Sequence, residues 1–433
     1  MSLNISRRHF LKTGAAAGIA AGTLSISRFA HADGGTETLK VGLIGCGGRG
    51  NGAVHNSLAA DENTKLVAIS DIFPDRVNGC RDQMVNQFGD RAPLTADTCF
   101  AGFDGYKNVI EMSDVVLLCS TPYYRPIHLK AAVDAGKHCF FEKPVATDPA
   151  GIRGVLETGK LAKEKNLTMI CGLCWRYHWG IQETMKRVLD GTIGDVLAAH
   201  VTYLTGRLWE NGRAEGDTEM MYQNRNWYNF RWLSGDHNVE QAVHSLDKGI
   251  WAFGDVPPLD GWSIGARTVR NNPKTGDIYD QIYSTFNFPN GRRLYAASRQ
   301  INGCHSETHD YIMGTKGYAN VLNEKTIYDL DGNRVWSYRG PDCDMYTEEH
   351  RAMYQSIRGG DGKNDCVVGA QSTMLGILGR ETAYTGQKIS WEQIMNSQQD
   401  FTPSEMTENG IPENVPDADG MYRQYTPGST QFV

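Results

Sequence analysis

Unbroken apolar runs, rather than alternating ones, organise the stretch after residue 38. Segments 39–44, 65–70, 114–119, 137–141 and 168–172 are each mostly apolar, and longer amphipathic segments separate them, the clearest at 151–165. A strand that is apolar on both faces must be covered on both, so this alternation predicts a parallel sheet between layers of helices. From about residue 175 the texture changes. Short strands at 197–204, 262–269, 280–288, 293–299 and 306–313 are separated by turn sequences such as Pro289-Asn290-Gly291 and Gly314-Thr315-Lys316-Gly317. That pattern predicts a large, open, mainly antiparallel sheet. One helix stands out within this region, at 238–253. Val239, Val243, Leu246, Ile250 and Phe253 make its apolar stripe, and Glu240, His244 and Asp247 run along the border of that stripe. Ionisable groups beside a buried face are costly unless partnered, which makes this helix a candidate for chemistry.

The first strand runs into Gly45-Cys46-Gly47-Gly48-Arg49-Gly50 and then into a helix start. This is GxGxxG between a strand and a helix. Gly45 permits the tight turn, Gly47 lets backbone approach a pyrophosphate, Gly50 lets the helix pack on its strand, and the helix N-terminus attracts phosphate. The next strand ends on Asp71, about 20 residues further on, where an acid accepts hydrogen bonds from an adenosine ribose. A carboxylate there repels a 2′-phosphate and favours NAD, with NADP still possible; the alternative is an Asp that only closes a turn. Later strands end on Thr121-Pro122, Glu142-Lys143-Pro144 and Trp175. Ligands of parallel sheets bind at these carboxyl ends.

The N-terminus reads as an address. Ser6-Arg7-Arg8-His9-Phe10-Leu11-Lys12 precedes a weakly apolar stretch rich in Ala and Gly, and Ala30-His31-Ala32 supplies a small-x-small cleavage pattern. That layout is a twin-arginine signal peptide over residues 1–32, predicting export of the folded protein to the periplasm by the twin-arginine machinery. Free NAD is scarce there, so the cofactor is expected to be tightly bound. The signal holds Arg7, Arg8, Lys12 and Arg28 and no acid, so the formal charge of −7 becomes more negative once it is removed. Such a body repels nucleic acid, and no basic run offsets it. Cys171-Gly172-Leu173-Cys174 has CxxC spacing without a second ligand pair, and no metal is expected. His305, Glu307 and His309 share one face of a strand, as metal ligands or, more simply, as a sheet surface or oligomer contact.

Together these segments resemble the Gfo/Idh/MocA oxidoreductase family across nearly all of the mature chain. The pieces that carry the likeness are the glycine loop, Asp71, Thr121-Pro122 with His128, Glu142-Lys143-Pro144, and Glu240-x-x-x-His244-x-x-Asp247 following Ser234-Gly235-Asp236. Glu240 stands where the family more often has Asp, and Tyr123 where it often has Asn. The resemblance implies a Rossmann domain at 38–175, an α/β domain at 176–400 with the open sheet, a tail at 401–433, and a substrate held between the domains. It also implies oxidation or reduction of a carbinol of a sugar, cyclitol or glycoside.

Oxidising an alcohol with NAD requires a base near neutrality, and His244 is the candidate. Lys143 holds the reacting oxygen, Glu240 orients His244 or pairs with Lys143, and Asp247 binds a neighbouring hydroxyl. Trp175, Arg176, Tyr177 and Trp227 are candidate substrate contacts, with core packing the alternative for any one of them. Cys46, Gly48 and Arg49 complete the cofactor loop. Three readings stay open: net sugar or glycoside redox; glycoside hydrolysis through transient oxidation by bound NAD; and a non-catalytic sugar-binding protein. Relatives that hydrolyse lack the Lys of Glu-Lys-Pro, and Lys143 is present. An open sheet needs a cover, so a dimer or tetramer is expected.

Overall fold

The mostly apolar runs become the parallel strands β1 (Leu39–Ile44), β2 (Thr64–Asp71), β4 (Val115–Leu118), β5 (His138–Phe141) and β6 (Met169–Cys171), joined by the three-residue β3 (Cys99–Ala101). The computed structural model describes residues 37–433, so the signal read at 1–32 lies outside them. The strand order is β3-β2-β1-β4-β5-β6, all parallel, with Leu43 in register with both Ile69 and Leu117. Helices α1 (Gly48–Ala60), α2 (Pro74–Phe88), α3 (Gly105–Met112), α4 (Arg125–Asp134) and α5 (Pro149–Glu164) cover both faces. Val41, Leu43, Val115, Leu117 and Phe140 pack into one face, and Ile44, Val116, Leu118 and Phe141 into the other. Strand order reverses around β1, which opens a crevice at the carboxyl ends.

The chain then forms α6 (Trp179–Leu189) and a nine-stranded sheet of order β14-β13-β12-β11-β7-β10-β9-β8-β15. Its strands are β7 (Val196–Thr205), β8 (Asp260–Ala266), β9 (Gln281–Asn287), β10 (Arg293–Gln300), β11 (Glu307–Gly314), β12 (Gly317–Asn320), β13 (Thr326–Asp329), β14 (Arg334–Ser337) and β15 (Ile389–Ser390). Every neighbouring pair is antiparallel except β7 with β10. Between β7 and β8 lie α7 (Glu219–Arg225), α8 (Arg231–Ser234), α9 (His237–Glu240) and α10 (Val243–Ala252).

The expected single helix at 238–253 is therefore broken. Asp236 caps α9 by accepting the Asn238 N–H at 2.9 Å. The N–H groups of Gln241 and Ala242 then both converge on the His237 carbonyl, and α10 starts afresh at Val243. The apolar stripe survives the break, with Val239, Val243, Leu246, Ile250 and Phe253 all buried. Glu240 and His244 now project from separate helices.

Two late helices tie the halves together. In α11 (Met345–Gly359), Arg358 grips Asp61 at 2.6 Å and Tyr354 meets Ser57 at 2.5 Å, pinning it along α1. Helix α12 (Cys366–Thr385) is buried between α5 and the sheet. The tail at 401–433 has no helix or strand yet is anchored. Phe401 N–H reaches Asp148, the Asn414 amide reaches Asp277, and the Tyr425 carbonyl accepts from Tyr279.

Candidate active site

A cleft of about 650 Å³ opens at the carboxyl ends of the parallel strands. The glycine loop, Asp71, Thr121, Pro122, His128, Glu142 and Lys143 line it from the first domain, and Trp209, Asn224, Trp227, Glu240 and His244 from the second.

The four glycines divide the labour. A Cβ on Gly45 (φ +100°) would lie 2.5 Å from the Cys119 carbonyl carbon, and one on Gly50 would lie 1.9 Å from the Gly45 oxygen. Packing therefore demands those two glycines. At Gly47 the nearest atom would be the Arg76 guanidinium at 3.9 Å, and at Gly48 nothing lies within 4 Å. The inner pair thus faces open space, at the N-terminus of α1, which no side chain caps. Asp71 is fixed by two backbone donors, Cys46 N–H at 2.8 Å and Phe73 N–H at 3.0 Å. Burial raises its pKa, and those two bonds oppose the shift. Cys46 contributes only its backbone, because its thiol turns inward to the Ser70 carbonyl.

Thr121 Oγ1 is buried and has no hydrogen-bond partner among the described residues. His128 holds Ser120 Oγ at 3.1 Å, lies beside the rings of Tyr106 and Tyr124, and is pushed down to about 3 by burial and by Arg125. Arg49 leaves the glycine loop to pair with Glu142 at 2.8 Å and lies over the Tyr346 ring. Glu142 also accepts the Lys143 N–H at 3.1 Å.

Lys143 joins the two linings of the cleft. Its Nζ donates to the Glu240 carboxylate at 2.8 Å and to the Glu240 carbonyl at 2.6 Å, so one second-domain residue fixes the ammonium twice. Burial disfavours the ammonium charge, but Glu240 and Glu142 outweigh it and raise the Lys143 pKa. His244 lies beside this pair in the cleft wall. Burial, then Lys143, Lys248 and Arg49, hold its pKa well below the ordinary value, so its imidazole is neutral rather than half protonated near pH 6.5.

The expected substrate contacts divide. Trp227 lines the cleft; Trp175, Arg176, Tyr177 and Asp247 do not. Asp247 is 1% exposed and is held by Arg176 at 2.8 Å and Ser372 at 2.7 Å, so its acceptors are spent inside the protein. Arg176 is shared between Asp247 and Asp255. Tyr177 donates to Asp365 at 2.6 Å, and Trp175 lies behind His244 with ring centroids 5.1 Å apart. Asp247 shares α10 with His244, but its carboxylate is turned to Arg176 and Ser372 instead of to the cleft. Other lining residues escaped the sequence reading. Phe103 and Tyr106 follow β3, a strand too short to show a pattern, and Arg76 and Tyr346 belong to helix starts that only the fold brings to the cleft.

The chain matches the family profile described as "Oxidoreductase family, NAD-binding Rossmann fold" over residues 39–172. It matches the companion C-terminal alpha/beta domain of the same family over 185–364, and a twin-arginine translocation signal over 4–23. It is 26% identical over 367 residues to Glycosyl hydrolase family 109 protein 2 of Shewanella sp. (strain MR-4), covering 83% of this chain and 69% of that one. It is 30% identical over 235 residues to inositol 2-dehydrogenase of Gluconacetobacter diazotrophicus, covering 54% and 58%. The first curated relatives are spanned over between 53% and 69% of their length. Among solved structures it is similar to levoglucosan dehydrogenase in complex with NADH and levoglucosan, with a TM-score of 0.63, 18% identity, and coverage of 82% of this chain and 99% of that one.

Proposed function

Because this chain belongs to the Gfo/Idh/MocA oxidoreductases and carries a twin-arginine signal, we propose that it transfers a hydride between a tightly held nicotinamide dinucleotide and a carbinol of a sugar, cyclitol or glycoside in the periplasm. One observation carries the reading: Lys143, fixed on Glu240 beside His244, stands in the same cleft as an intact glycine loop. The residues fit such a cofactor. The inner glycines leave room for a pyrophosphate at an uncapped helix N-terminus, Asp71 is set to accept ribose hydroxyls, and Thr121 Oγ1 awaits a partner. Asp71 favours NAD, and Arg76 beside it leaves NADP admissible.

When bound, the cofactor supplies the hydride acceptor or donor. The chain's own groups handle the oxygen and the proton. Lys143, kept charged by Glu240 and Glu142, holds the substrate oxygen and stabilises negative charge as it develops. His244, neutral, accepts the hydroxyl proton during oxidation. Glu240 fixes the Lys143 ammonium, a different task from the orienting of His244 also considered from sequence.

A second reading is hydrolysis of a glycoside by transient oxidation, favoured by the relatives named as family 109 glycosyl hydrolases. Product masses separate the two. Purified protein should release a nicotinamide dinucleotide on denaturation and convert a cyclitol or sugar to a product two mass units lighter. Release of an aglycone with no net oxidation selects the second reading. Absence of both bound dinucleotide and dinucleotide binding overturns the two together.

A further inference from the structure

Behind the imidazole lies a charge that the mechanism does not use. Lys248, one turn after His244 on α10, is fully buried, as is its partner Asp310 on β11 at 3.2 Å. Its Nζ also donates to the His244 carbonyl at 2.9 Å and sits 3.3 Å from the centre of the Trp175 ring. Trp175 in turn borders the His244 ring at 5.1 Å and 41°. Ammonium, indole and imidazole therefore form one stack, closed at the rear by a carboxylate.

We propose that Lys248 and Trp175 are positioning residues for His244. The ammonium, locked by Asp310, pins the indole, and the indole sets the plane of the imidazole that meets the substrate. This rests on the proposed role of His244 as proton acceptor. The chemistry of the stack supports it. An ammonium against an aromatic face is attracted by the ring quadrupole, most strongly where water is excluded. Here one hydrogen bond, one ion pair and one ring contact hold it in place. A tryptophan that only filled space would not need a buried lysine on its face, and burying that charge is expensive without a task.

The same arrangement carries an electrostatic consequence. The charged groups around His244 are Lys143 from the end of β5, Arg49 from α1, Glu240 from α9, and Lys248 and Asp247 on its own helix, with Asp310 paired to Lys248. Burial lowers the Lys248 pKa, and Asp310 and Asp247 oppose that shift. Lys143 and Arg49 each have a carboxylate of their own in Glu240 and Glu142. Of the Lys248–Asp310 pair, it is Lys248, one turn away on the same helix with its Nζ on the His244 carbonyl, whose charge acts on the imidazole. It helps hold the imidazole uncharged and ready to accept.

The test uses the dinucleotide-saturated protein with its histidines carbon-13 labelled, His244 being assigned by the signal lost in His244→Gln. Lys248→Met alone strands the Asp310 carboxylate in the interior, so the variant is Lys248→Met/Asp310→Asn, with Lys248→Arg as the charge-retaining control. The double variant should raise the His244 titration midpoint by about one pH unit, because of the two charges it removes only Lys248 is among those that depress the imidazole. Lys248→Arg should leave it in place. Trp175→Leu should lower kcat about tenfold with KM unchanged, and Trp175→Phe, which keeps a ring face, should recover most of the loss. A folded double variant whose His244 titrates as in the parent overturns the electrostatic role, and unchanged kcat in Trp175→Leu overturns the positioning role. The titration needs no substrate. A shifted midpoint in a protein inactive on every polyol would therefore tell against the proposed function and not against the stack.

Discussion

Lys143 and His244 come from segments about a hundred residues apart, and the fold brings both into the lining of one cleft. Lys143→Met removes the donor held on Glu240 but touches neither the glycine loop nor Asp71. Turnover should fall at least 10²–10³-fold, roughly the worth of a preorganised donor at a developing oxyanion, while bound dinucleotide remains at the parental ratio. His244→Asn should cost about 10²–10⁴-fold, the usual worth of a placed acid–base group. The pH profile carries a sign. The proposed oxidation needs neutral His244, whose pKa is held well below the ordinary value, so the neutral form persists as pH falls through about 6.5. The acid limb of kcat/KM for the free enzyme should therefore lie below that pH, and a limb centred at or above it contradicts the assignment. The same depression makes stability fully present above the unfolded histidine's pKa, lost as pH falls towards the folded value. That these two residues line one cleft was legible from their placement at a strand end and a helix border. The inward turn of Trp175, Arg176 and Asp247 was not. Whether an ionisable residue faces a cleft or an internal partner depends on contacts such as Arg176–Asp255 and Asp247–Ser372, which no periodicity encodes.

At the scale of elements, the glycine loop makes the sharpest prediction, because neighbouring glycines serve different masters. Gly50→Ala places a methyl 1.9 Å from the Gly45 carbonyl oxygen, so α1 must move off β1. Overpacking of this kind costs about 1–3 kcal/mol, and both melting temperature and dinucleotide affinity should fall. Gly47→Ala meets nothing closer than Arg76 at 3.9 Å, so its melting temperature without cofactor should match the parent. Its methyl enters the open space instead, so dinucleotide affinity alone should drop. Calorimetry with and without NAD reads both arms, and equal affinity loss without a difference in stability would break the distinction. The parallel strands that frame this loop could be read from sequence because burial on both faces leaves continuous apolar runs. Three features could not. β3 is too short to show a pattern. β12 to β14 are four-residue strands that pair with one another in hairpins. The break after Glu240 comes from the Asp236 cap and the His237 carbonyl rather than from any glycine or proline.

At the scale of the molecule, the second sheet has one covered face. α9, α10 and α12 pack on it, burying Val201, Phe286, Leu294 and Ile312. The opposite face presents Ile264 at 70% exposure, Tyr283 at 41% and Trp262 at 39%. Register sets these beside one another: Ile264 is opposite Tyr283, Tyr283 opposite Ala297, and Trp262 opposite Thr285, which faces Tyr295. The row continues through His200 to Tyr311, whose rings stack 6.2 Å apart. An apolar and aromatic surface spanning five strands exceeds the scattered exposed side chains of an ordinary monomer, and a second copy of the same face is the cover closest to hand. We therefore predict a dimer, or a tetramer built from it, with mass at least twice that of a subunit no larger than 48.0 kDa. Ile264→Asp/Tyr283→Asp puts charge on both members of a cross-strand pair whose side chains are already solvated in the monomer, so subunit folding should survive. Light scattering should then report the single-subunit mass, with an unchanged far-ultraviolet spectrum. A parent protein that scatters as a monomer at micromolar concentration removes the argument at its source. A double variant that stays oligomeric moves the interface off this face.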